Sequence, residues 1–304
     1  MYHRRKQQNL EERLSQMEQM RVLDMHAHLS CLEEDKKKQL SDKEKLVLGR
    51  RELELRRNYG VAAFFSCGTP QEWAAFEQLL TEDVGGKAYG GGVLRSFGIH
   101  PWYSAQYEPV QYYSLFAQCD AVGEIGMDSV WCNIPLQVQQ ERFVKQLKLA
   151  AELKKPVILH TKGQEAQIAE LVGDFPGKIC VHWYSGDEKS FEKFLELGCY
   201  FTLGPDVSLR CGQAKLPGED TVIEGHTRKL YQRMIHEIPS DRLFLETDGI
   251  SAVAWAQNIP TESCAPDTIA EVLEENLQFA AQQKGMHAEE LRQQMWKNLR
   301  TFLK

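Results

Sequence analysis

Short apolar runs alternate along the chain with longer segments in which apolar residues recur at helical spacing. Eight of these runs have the length of a strand, and most lack the alternation of apolar and polar residues that a half-exposed strand shows. Continuous apolar runs of this kind are typical of parallel strands that are buried on both faces. The predicted strands are Arg21–Asp24, Val61–Ser66, Leu94–Gly98, Ala121–Glu124, Val157–His160, Ile179–His182, Tyr200–Leu203 and Leu243–Glu246.

The segments between these runs predict helices. Apolar residues recur at helical spacing in Leu136–Leu153, and Pro266–Gly285 begins with proline and closes near glycine, the usual asymmetry of helix ends. Eight strands that alternate with helices predict a closed (β/α)8 barrel, that is, a TIM barrel. An open, doubly wound parallel sheet is the alternative, although no glycine-rich dinucleotide or P-loop fingerprint follows any of the strands.

The chain before the first strand is polar and strongly charged. Residues 1–20 lack the apolar centre of a secretory signal and predict an extra N-terminal helix, which is also a candidate surface for a protein partner. Residues 21–304 are expected to form a single barrel domain. A second charged segment, Glu33–Asn58, is interpreted as the solvated face of a helix.

Composition and charge restrict the classes of function. The content of 42% hydrophobic and 26% charged residues is ordinary for a globular protein. The chain has no apolar run of the roughly 18 residues that a membrane-spanning helix needs, so no membrane association is expected. A net charge of −7 disfavours a broad, nonspecific nucleic-acid surface. It leaves open that a nucleic-acid end enters a metal-lined pocket.

The eight cysteines are scattered, and none forms a CxxC pair. This spacing argues against a disulfide framework and against a zinc site built from thiolates. It favours free thiols in a reducing compartment, and therefore a cytoplasmic location.

Residues with metal-ligating side chains lie at or just after the carboxyl ends of several predicted strands. His26 and His28 are two residues apart after the first strand, so in an extended chain they point to the same side. Because barrel active sites lie at the carboxyl ends of the strands, these side chains are expected to converge. They form a suitable ligand set for two divalent cations, which together can activate a water and clamp an in-line displacement. The set is His26, His28, Glu124, His160, His182 and Asp248.

Each of these residues has a simpler interpretation when it is taken alone. A single histidine near a strand end is more often a hydrogen-bonded structural residue than a ligand. Glu124 would serve as a buried ion-pair partner, and Asp248 as a helix N-cap. The combined pattern favours a metal site, because six ligand-type residues lie at the ends of five different strands in chain order.

The same residues carry a resemblance to a known family. The stretches DMHAHL, GIHP, GEIGMD, HWYSG and LETDG look like the successive motifs of the TatD-related metal-dependent hydrolases, and the resemblance runs from about Val22 to Leu303. It implies an amidohydrolase-like barrel, two divalent cations (Mg, Mn or Zn) and phosphodiester hydrolysis of the deoxyribonuclease type. By the same resemblance, the first cation would be held by His26, His28, Glu124 and Asp248, and the second by Glu124, His160 and His182.

The resemblance also implies roles in catalysis and substrate binding. Asp248 and Glu124 are the candidate catalytic carboxylates; the barrel argument places Asp248 beside the first cation and so predicts that it accepts a proton from the attacking water. His100, within GIHP, lies in the loop where the family contacts a substrate phosphate. Lys162 takes the place where the family usually has an arginine, and it can meet a phosphate as a point charge without the bidentate fork of a guanidinium.

The chain departs from the family pattern after LETDG. The family usually continues there with proline and a later Arg-Asn-x-Pro stretch, whereas this chain has ISAVAWAQNIPTESCAP. The expected substrate is a nucleic-acid end or a small phosphodiester. Two alternatives are a hydrolase of another amide or ester, and a barrel subunit that acts mainly through a protein partner.

Overall fold

The structure is a computed structural model that describes residues 2–32, 40–81, 93–212, 222–223, 226–264 and 266–304. Ten strands lie in these ranges. They are β1 Val22–Ala27, β2 Val61–Cys67, β3 Val93–Phe97, β4 Ala121–Asp128, β5 Val157–Lys162, β6 Ile179–Val181, β7 Tyr200–Leu203, β8 Val222–Ile223, β9 His226–Thr227 and β10 Leu243–Leu245. Strands β8 and β9 form a small antiparallel pair.

The other eight strands form one parallel sheet in the order β1-β2-β3-β4-β5-β6-β7-β10. The chain just after β10 returns to β1, where the backbone N–H of Asp248 donates to the carbonyl of His26 at 3.0 Å. Nearby, the backbone N–H and the hydroxyl of Thr247 donate to the carboxylate of Asp24 at 2.9 and 2.6 Å. The sheet is therefore a nearly closed barrel, and the predicted (β/α)8 fold is confirmed.

Helices alternate with the barrel strands and cover them on the outside. They are α1 Tyr2–Met17, α2 Asp42–Asn58, α3 Pro70–Thr81, α4 Tyr113–Gln118, α5 Leu136–Glu152, α6 Glu165–Leu171, α7 Glu188–Glu196, α8 Val207–Gly212, α9 Arg228–Glu237, α10 Ile250–Gln257, α11 Pro266–Gln283 and α12 Ala288–Phe302. Helix α5 shows why they pack, because Phe143, Leu147 and Ala150 share one face of the helix and are buried in the core.

Strand β4 is longer than the apolar pattern predicts, since it continues past Glu124 to Asp128. Gly126 allows this extension. A Cβ atom at Gly126 would lie 1.9 Å from the carbonyl oxygen of His160 in β5, and the φ of Gly126 is +154°. Only glycine therefore lets the two strands approach each other here, and their pairing continues to Asp128 and Lys162 at the mouth of the barrel.

Helix α2 corrects the interpretation of the charged segment as a solvated face. Glu52 and Arg56 of this helix are buried, with relative exposures of 4% and 2%. The guanidinium of Arg56 donates to Asp24 at 2.7 Å and to Glu52 at 3.2 Å. The buried carboxylate of Asp24 in β1 is therefore neutralised by Arg56 of α2, the helix that packs outside this strand. Residues 33–39 of the charged segment lie outside the described residues.

The extra N-terminal helix is present as α1. Its side chains Leu14 and Met17 are buried, Arg13 forms an ion pair with Asp120 just before β4, and Glu18 forms one with Arg300 of α12. The apolar contacts that the described half of α1 makes are therefore with its own barrel. Among the described residues, no helix combines the length and apolarity that crossing a bilayer requires.

Candidate metal centre

The six predicted ligands converge at the carboxyl end of the barrel. His26 is the penultimate residue of β1, and His28 directly follows this strand. Glu124 lies within β4, and His160 lies within β5. His182 follows β6, and Asp248 lies just beyond β10. The side chains of four of these residues contact Glu124, namely His26, His28, His160 and His182. Asp248 contacts His26.

Four ligand atoms surround a first point. Oε2 of Glu124 lies 3.5 Å from Nε2 of His26 and 3.4 Å from Nε2 of His28. Oδ1 of Asp248 lies 3.4 and 3.5 Å from the same two nitrogens. In a tetrahedral site with metal–ligand bonds of about 2.1 Å, neighbouring ligand atoms are about 3.4 Å apart. The four atoms are therefore spaced to surround one cation.

The other oxygen of Glu124 faces a second group of histidines. Oε1 lies 2.6 Å from Nδ1 of His160 and 2.8 Å from Nε2 of His182. His100 is also close, with Nε2 at 3.6 Å from the same oxygen. One carboxylate thus directs its two oxygens toward two separate groups of nitrogens, an arrangement that suits a bridging ligand.

Two buried carboxylates lie behind the histidines of the second group. Oδ2 of Asp128 is 3.1 Å from Nε2 of His160, and Oε1 of Glu246 is 3.3 Å from Nδ1 of His182. In the neutral form of each ring, the carboxylate accepts the N–H of the nitrogen that it faces, so the other ring nitrogen carries the lone pair. In both rings that other nitrogen is the one that points at Glu124, which makes it available to a cation.

His100 is oriented differently. The backbone N–H of Trp102 donates to Nδ1 of His100 at 3.2 Å, so the ring proton of the neutral form lies on Nε2. Burial lowers the pKa of His100, although Glu124 opposes this shift, and the ring is neutral at pH 7. A neutral ring with its N–H directed into the site is a hydrogen-bond donor, which fits the predicted contact with a phosphate better than metal ligation.

Asp248 does not have the N-cap role that the simpler interpretation gave it. The N-cap of α10 is Gly249, and no side-chain hydrogen bond caps this helix. Asp248 instead has a left-handed backbone with φ of 57°. The bond from its N–H to His26 holds this conformation and turns the carboxylate toward the two histidines of β1.

The histidines and carboxylates shift one another's pKa values. Burial alone would lower the pKa of His26 and of His182, but the nearby carboxylates outweigh it. As a result, the pKa of His182 rises to about 9, and that of His26 lies well above its ordinary value. Burial would raise the pKa of Glu124, whereas the surrounding histidines hold it well below its usual range. Glu124 is therefore ionised at neutral pH.

The buried ring nitrogens of His26 give a further reason to expect a divalent cation at this site. His26 is 0% exposed, and within the described part of the chain neither of its ring nitrogens has a hydrogen-bond partner. A buried polar atom without a partner is costly, and a cation at the point between His26, His28, Glu124 and Asp248 would satisfy Nε2. Imidazole and carboxylate donors together suit zinc, manganese and related divalent ions.

Lys162 ends β5, two residues after His160, so both side chains point to the same side of the strand. Its side chain is 7% exposed, and Nζ donates to the hydroxyl of Ser185 at 2.6 Å. Lys162 therefore lies at the carboxyl end of β5, beside the histidine group.

Asp128 and Glu246 are the site residues that sequence reasoning missed. Both were in the quoted motifs, Asp128 at the end of GEIGMD and Glu246 in LETDG, but only Glu124 and Asp248 were assigned a role there. The available signal was spacing, because Asp128 is four residues from Glu124 in one strand and thus points to the same side.

The sequence model of the family described as TatD related DNase matches residues 23–304 of this chain. A human protein described as a 3′-5′ RNA nuclease, TATDN2, is 29% identical over 183 residues, which are 57% of this chain and 21% of that protein. The 3′-5′ ssDNA/RNA exonuclease TatD of a Rahnella species is 28% identical over 218 residues, which cover 68% of this chain and 73% of the relative. This chain thus matches only about a fifth of the length of its human relative.

The crystal structure of YjjV, a TatD homolog from Escherichia coli, has the same fold. It superimposes with a TM-score of 0.66 at 22% identity and covers 92% of this chain and 97% of that one. The family model extends from β1 through α12, so it includes every strand that contributes to the metal centre. The chain belongs to the TatD-related DNase family.

Proposed function

We propose that this protein is a divalent-metal-dependent nuclease that hydrolyses phosphodiester bonds at a site with two cations. The observation that carries the proposal is the position of Glu124, whose two oxygens face two different histidine groups. Two cations that share a carboxylate are the arrangement that in-line displacement at phosphorus uses. The imidazole and carboxylate ligands are compatible with Mg, Mn or Zn.

The proposed ligands divide between the two sites as the geometry groups them. His26, His28 and Asp248 would hold the first cation, His160 and His182 the second, and Glu124 both. Asp128 and Glu246 would hold the imidazoles of the second group in the tautomer that leaves a lone pair for the cation. Bound cations would supply Lewis acidity and lower the pKa of a coordinated water.

The other steps rest on this chain's own side chains. Burial opposes the ionisation of Asp248, but the nearby His26, His182 and His28 hold its pKa below the usual value. An ionised carboxylate with a side chain 24% exposed can accept a proton from a water in the mouth of the barrel. The N–H of His100 and the ammonium of Lys162 would bind and orient the phosphate.

Relatives support the substrate and direction that we propose. The human and Rahnella proteins are described as 3′-5′ nucleases of RNA and of single-stranded DNA or RNA. We propose the same class for this chain, with a single-stranded 3′ end as substrate. A cytoplasmic location remains our prediction from the scattered cysteines, and the seven cysteines whose side chains the structure describes are free thiols.

A panel of labelled substrates tests the proposal. Metal-stripped protein is reloaded with Mg, Mn or Zn and offered single-stranded DNA, double-stranded DNA, single-stranded RNA and a chromogenic carboxylic ester. We expect shortening from the 3′ end of a single strand, and no shortening of a strand whose terminal linkages are phosphorothioates. Hydrolysis of the carboxylic ester alone would favour the alternative hydrolase. A chain that binds no metal and cleaves nothing would favour a barrel subunit that acts through a protein partner.

A further inference from the structure

Four tryptophans lie in the segments that follow barrel strands at their carboxyl ends, around the candidate metal centre. Trp102 follows His100 after β3, Trp131 follows β4, Trp183 follows His182 after β6, and Trp255 belongs to α10 after β10. Three of them are large exposed side chains, with relative exposures of 45% for Trp102, 51% for Trp131 and 46% for Trp255. Exposure of this much indole surface beside a candidate active site indicates a binding role.

Hydrogen bonds connect two of these tryptophans to Asp128, a carboxylate of the candidate metal centre. The indole N–H of Trp102 donates to Oδ2 of Asp128 at 2.8 Å, and the backbone N–H of Trp131 donates to Oδ1 at 2.8 Å. The same carboxylate faces His160. Trp102 through its ring and Trp131 through its backbone are therefore bound to the carboxylate that faces His160, so both residues lie beside the candidate metal centre.

The other two rings contact each other. The ring centroids of Trp183 and Trp255 are 5.8 Å apart in an edge-to-face arrangement, and the indole N–H of Trp183 donates to the hydroxyl of Tyr231 at 3.2 Å. Trp255 comes from the segment ISAVAWAQNIPTESCAP, where the chain departs from the family pattern. The altered segment thus adds an aromatic surface to the mouth.

The side chain of Lys162 lies near both Trp131 and Trp183. Its ammonium is 4.8 Å from the centroid of the Trp131 ring and 5.6 Å from that of Trp183. A positive charge between aromatic faces matches a nucleic-acid strand, in which phosphates alternate with flat bases. For a chain with a net charge of −7, stacking is also a source of affinity that does not depend on a broad basic surface.

We infer that Trp131 and the Trp183–Trp255 pair form a base-stacking platform, on which the terminal bases of a single-stranded nucleic acid bind while Lys162 contacts the intervening phosphate. The inference rests on the proposed nuclease function and adds to it a requirement for unpaired bases. Stacking uses the flat face that every base has, so the platform selects single strands over duplexes without selecting a sequence.

The test compares two single-stranded DNAs of equal length that differ only at their 3′-terminal nucleotides. One carries normal bases and the other carries tetrahydrofuran abasic residues with the same phosphates. For the wild type loaded with metal, we expect a KM roughly tenfold higher for the abasic strand. In the double variant Trp131→Leu/Trp255→Leu, the KM for the normal strand rises to the abasic value, and the KM for the abasic strand is unchanged.

Matched variants separate stacking from general damage. Trp131→Phe/Trp255→Phe keeps aromatic faces and retains most of the preference for bases. Tyr59→Leu removes an exposed aromatic that precedes β2, at the other end of the barrel, and leaves both KM values unchanged. Equal KM values for the two strands in the wild type, or an equal rise for both strands in the Leu variant, would overturn the platform.

A second readout does not need catalysis. In metal-stripped protein, the normal strand should quench tryptophan fluorescence more than the abasic strand, and the Leu variant should lose this difference. Absence of hydrolysis together with selective quenching would refute the proposed function while it supports the platform. Hydrolysis of both strands with equal KM and no selective quenching would refute the platform and leave the nuclease function intact.

Discussion

Asp128 lies on the outer side of His160, with its Oδ2 3.1 Å from Nε2 of the ring, while Nδ1 of the same ring is 2.6 Å from Glu124. Burial alone would raise the pKa of Asp128. Hydrogen bonds from His160 and from the neighbouring indole and backbone N–H groups outweigh burial and hold this pKa well below its usual range. Asp128 is therefore an anion that fixes which nitrogen of His160 carries the proton.

Replacing Asp128 with Asn should weaken the second metal site. An amide is a poorer acceptor for the N–H of His160, and it no longer favours the tautomer that points a lone pair at Glu124. Loss of such a supporting carboxylate typically weakens metal binding about 10- to 100-fold. Titration of metal-stripped protein should show one weakened and one unchanged site. Asp241→Asn, at an exposed carboxylate, is the matched control, and an unchanged second site in Asp128→Asn would contradict the proposed role.

Glu124→Gln should affect both cations at once. The carboxylate faces nitrogens on both of its oxygens, so an amide, with a single carbonyl oxygen, cannot serve the two groups equally. We expect both metal affinities and cleavage of single-stranded DNA to fall, with the fold retained in circular dichroism. His26→Ala should reduce only the first affinity and also abolish cleavage. A Glu124→Gln protein that binds two cations normally would show that the carboxylate does not bridge.

Asp248→Asn tests the proton acceptor. Asn keeps the shape of the side chain and a carbonyl oxygen for weak ligation, but it is not a useful base at neutral pH. Removal of a general base typically lowers turnover by about 10²-fold or more. Turnover is measured at saturating metal, with thermal melting to confirm stability. Turnover of the Asn variant at the wild-type value would remove Asp248 from the proton transfer.

The stability of the metal-stripped protein should depend on pH through His182. Its pKa rises from an ordinary 6.5 to about 9 in the fold, because the charge of Glu124 outweighs burial. A raised pKa stabilises the fold below the unfolded value, and this stabilisation is lost as the pH rises from about 6.5 through 9. The melting temperature of stripped protein should therefore fall over this range.

Metal-loaded protein should behave differently over the same range, because cations bind the neutral imidazoles and compete with protons. The difference in melting temperature between loaded and stripped protein should widen as the pH rises. His182→Gln should flatten the dependence of the stripped protein. A melting temperature of stripped wild-type protein that rises between pH 6.5 and 9 would contradict the charged histidine cluster.

Asp24→Asn should destabilise the whole fold. Asp24 is fully buried, binds Arg56 at 2.7 Å and accepts two hydrogen bonds from Thr247 at the closure of the barrel. Removing one partner of a buried ion pair costs about 3–5 kcal/mol. Chemical denaturation measures the loss. Asp241→Asn removes an exposed pair with Arg242 and should cost about 1 kcal/mol or less. Equal stability of the two variants would show that the buried ion pair stabilises the fold no more than the exposed pair does.

The sequence was sufficient for the barrel and for the convergence of its ligands. Both follow from short-range patterns, because apolar runs mark the strands and the residues after each run must meet at one end of a parallel barrel. The limits of the strands were less predictable. The extension of β4 to Asp128 depends on Gly126 passing close to His160 of the next strand, a contact that no local pattern contains.

The finer chemistry of the site depended on distant contacts as well. Arg56 appeared to belong to a solvated helix face, since its partner Asp24 lies 32 positions away in the sequence. The proton position on His100 depends on the backbone N–H of Trp102, and those on His160 and His182 on Asp128 and Glu246. Spacing can bring such residues to one face, but only the folded geometry decides which atom faces which.

The central claim is that this fold binds two cations and that cleavage requires both. The most direct measurement titrates metal-stripped protein with Mn, counts bound ions per chain by mass spectrometry of the metal, and follows 3′ shortening of labelled single-stranded DNA in the same samples. We predict about two bound ions per chain, with cleavage that remains low until the second ion binds. Cleavage by metal-free protein, or full cleavage with one ion bound, would contradict the two-cation site.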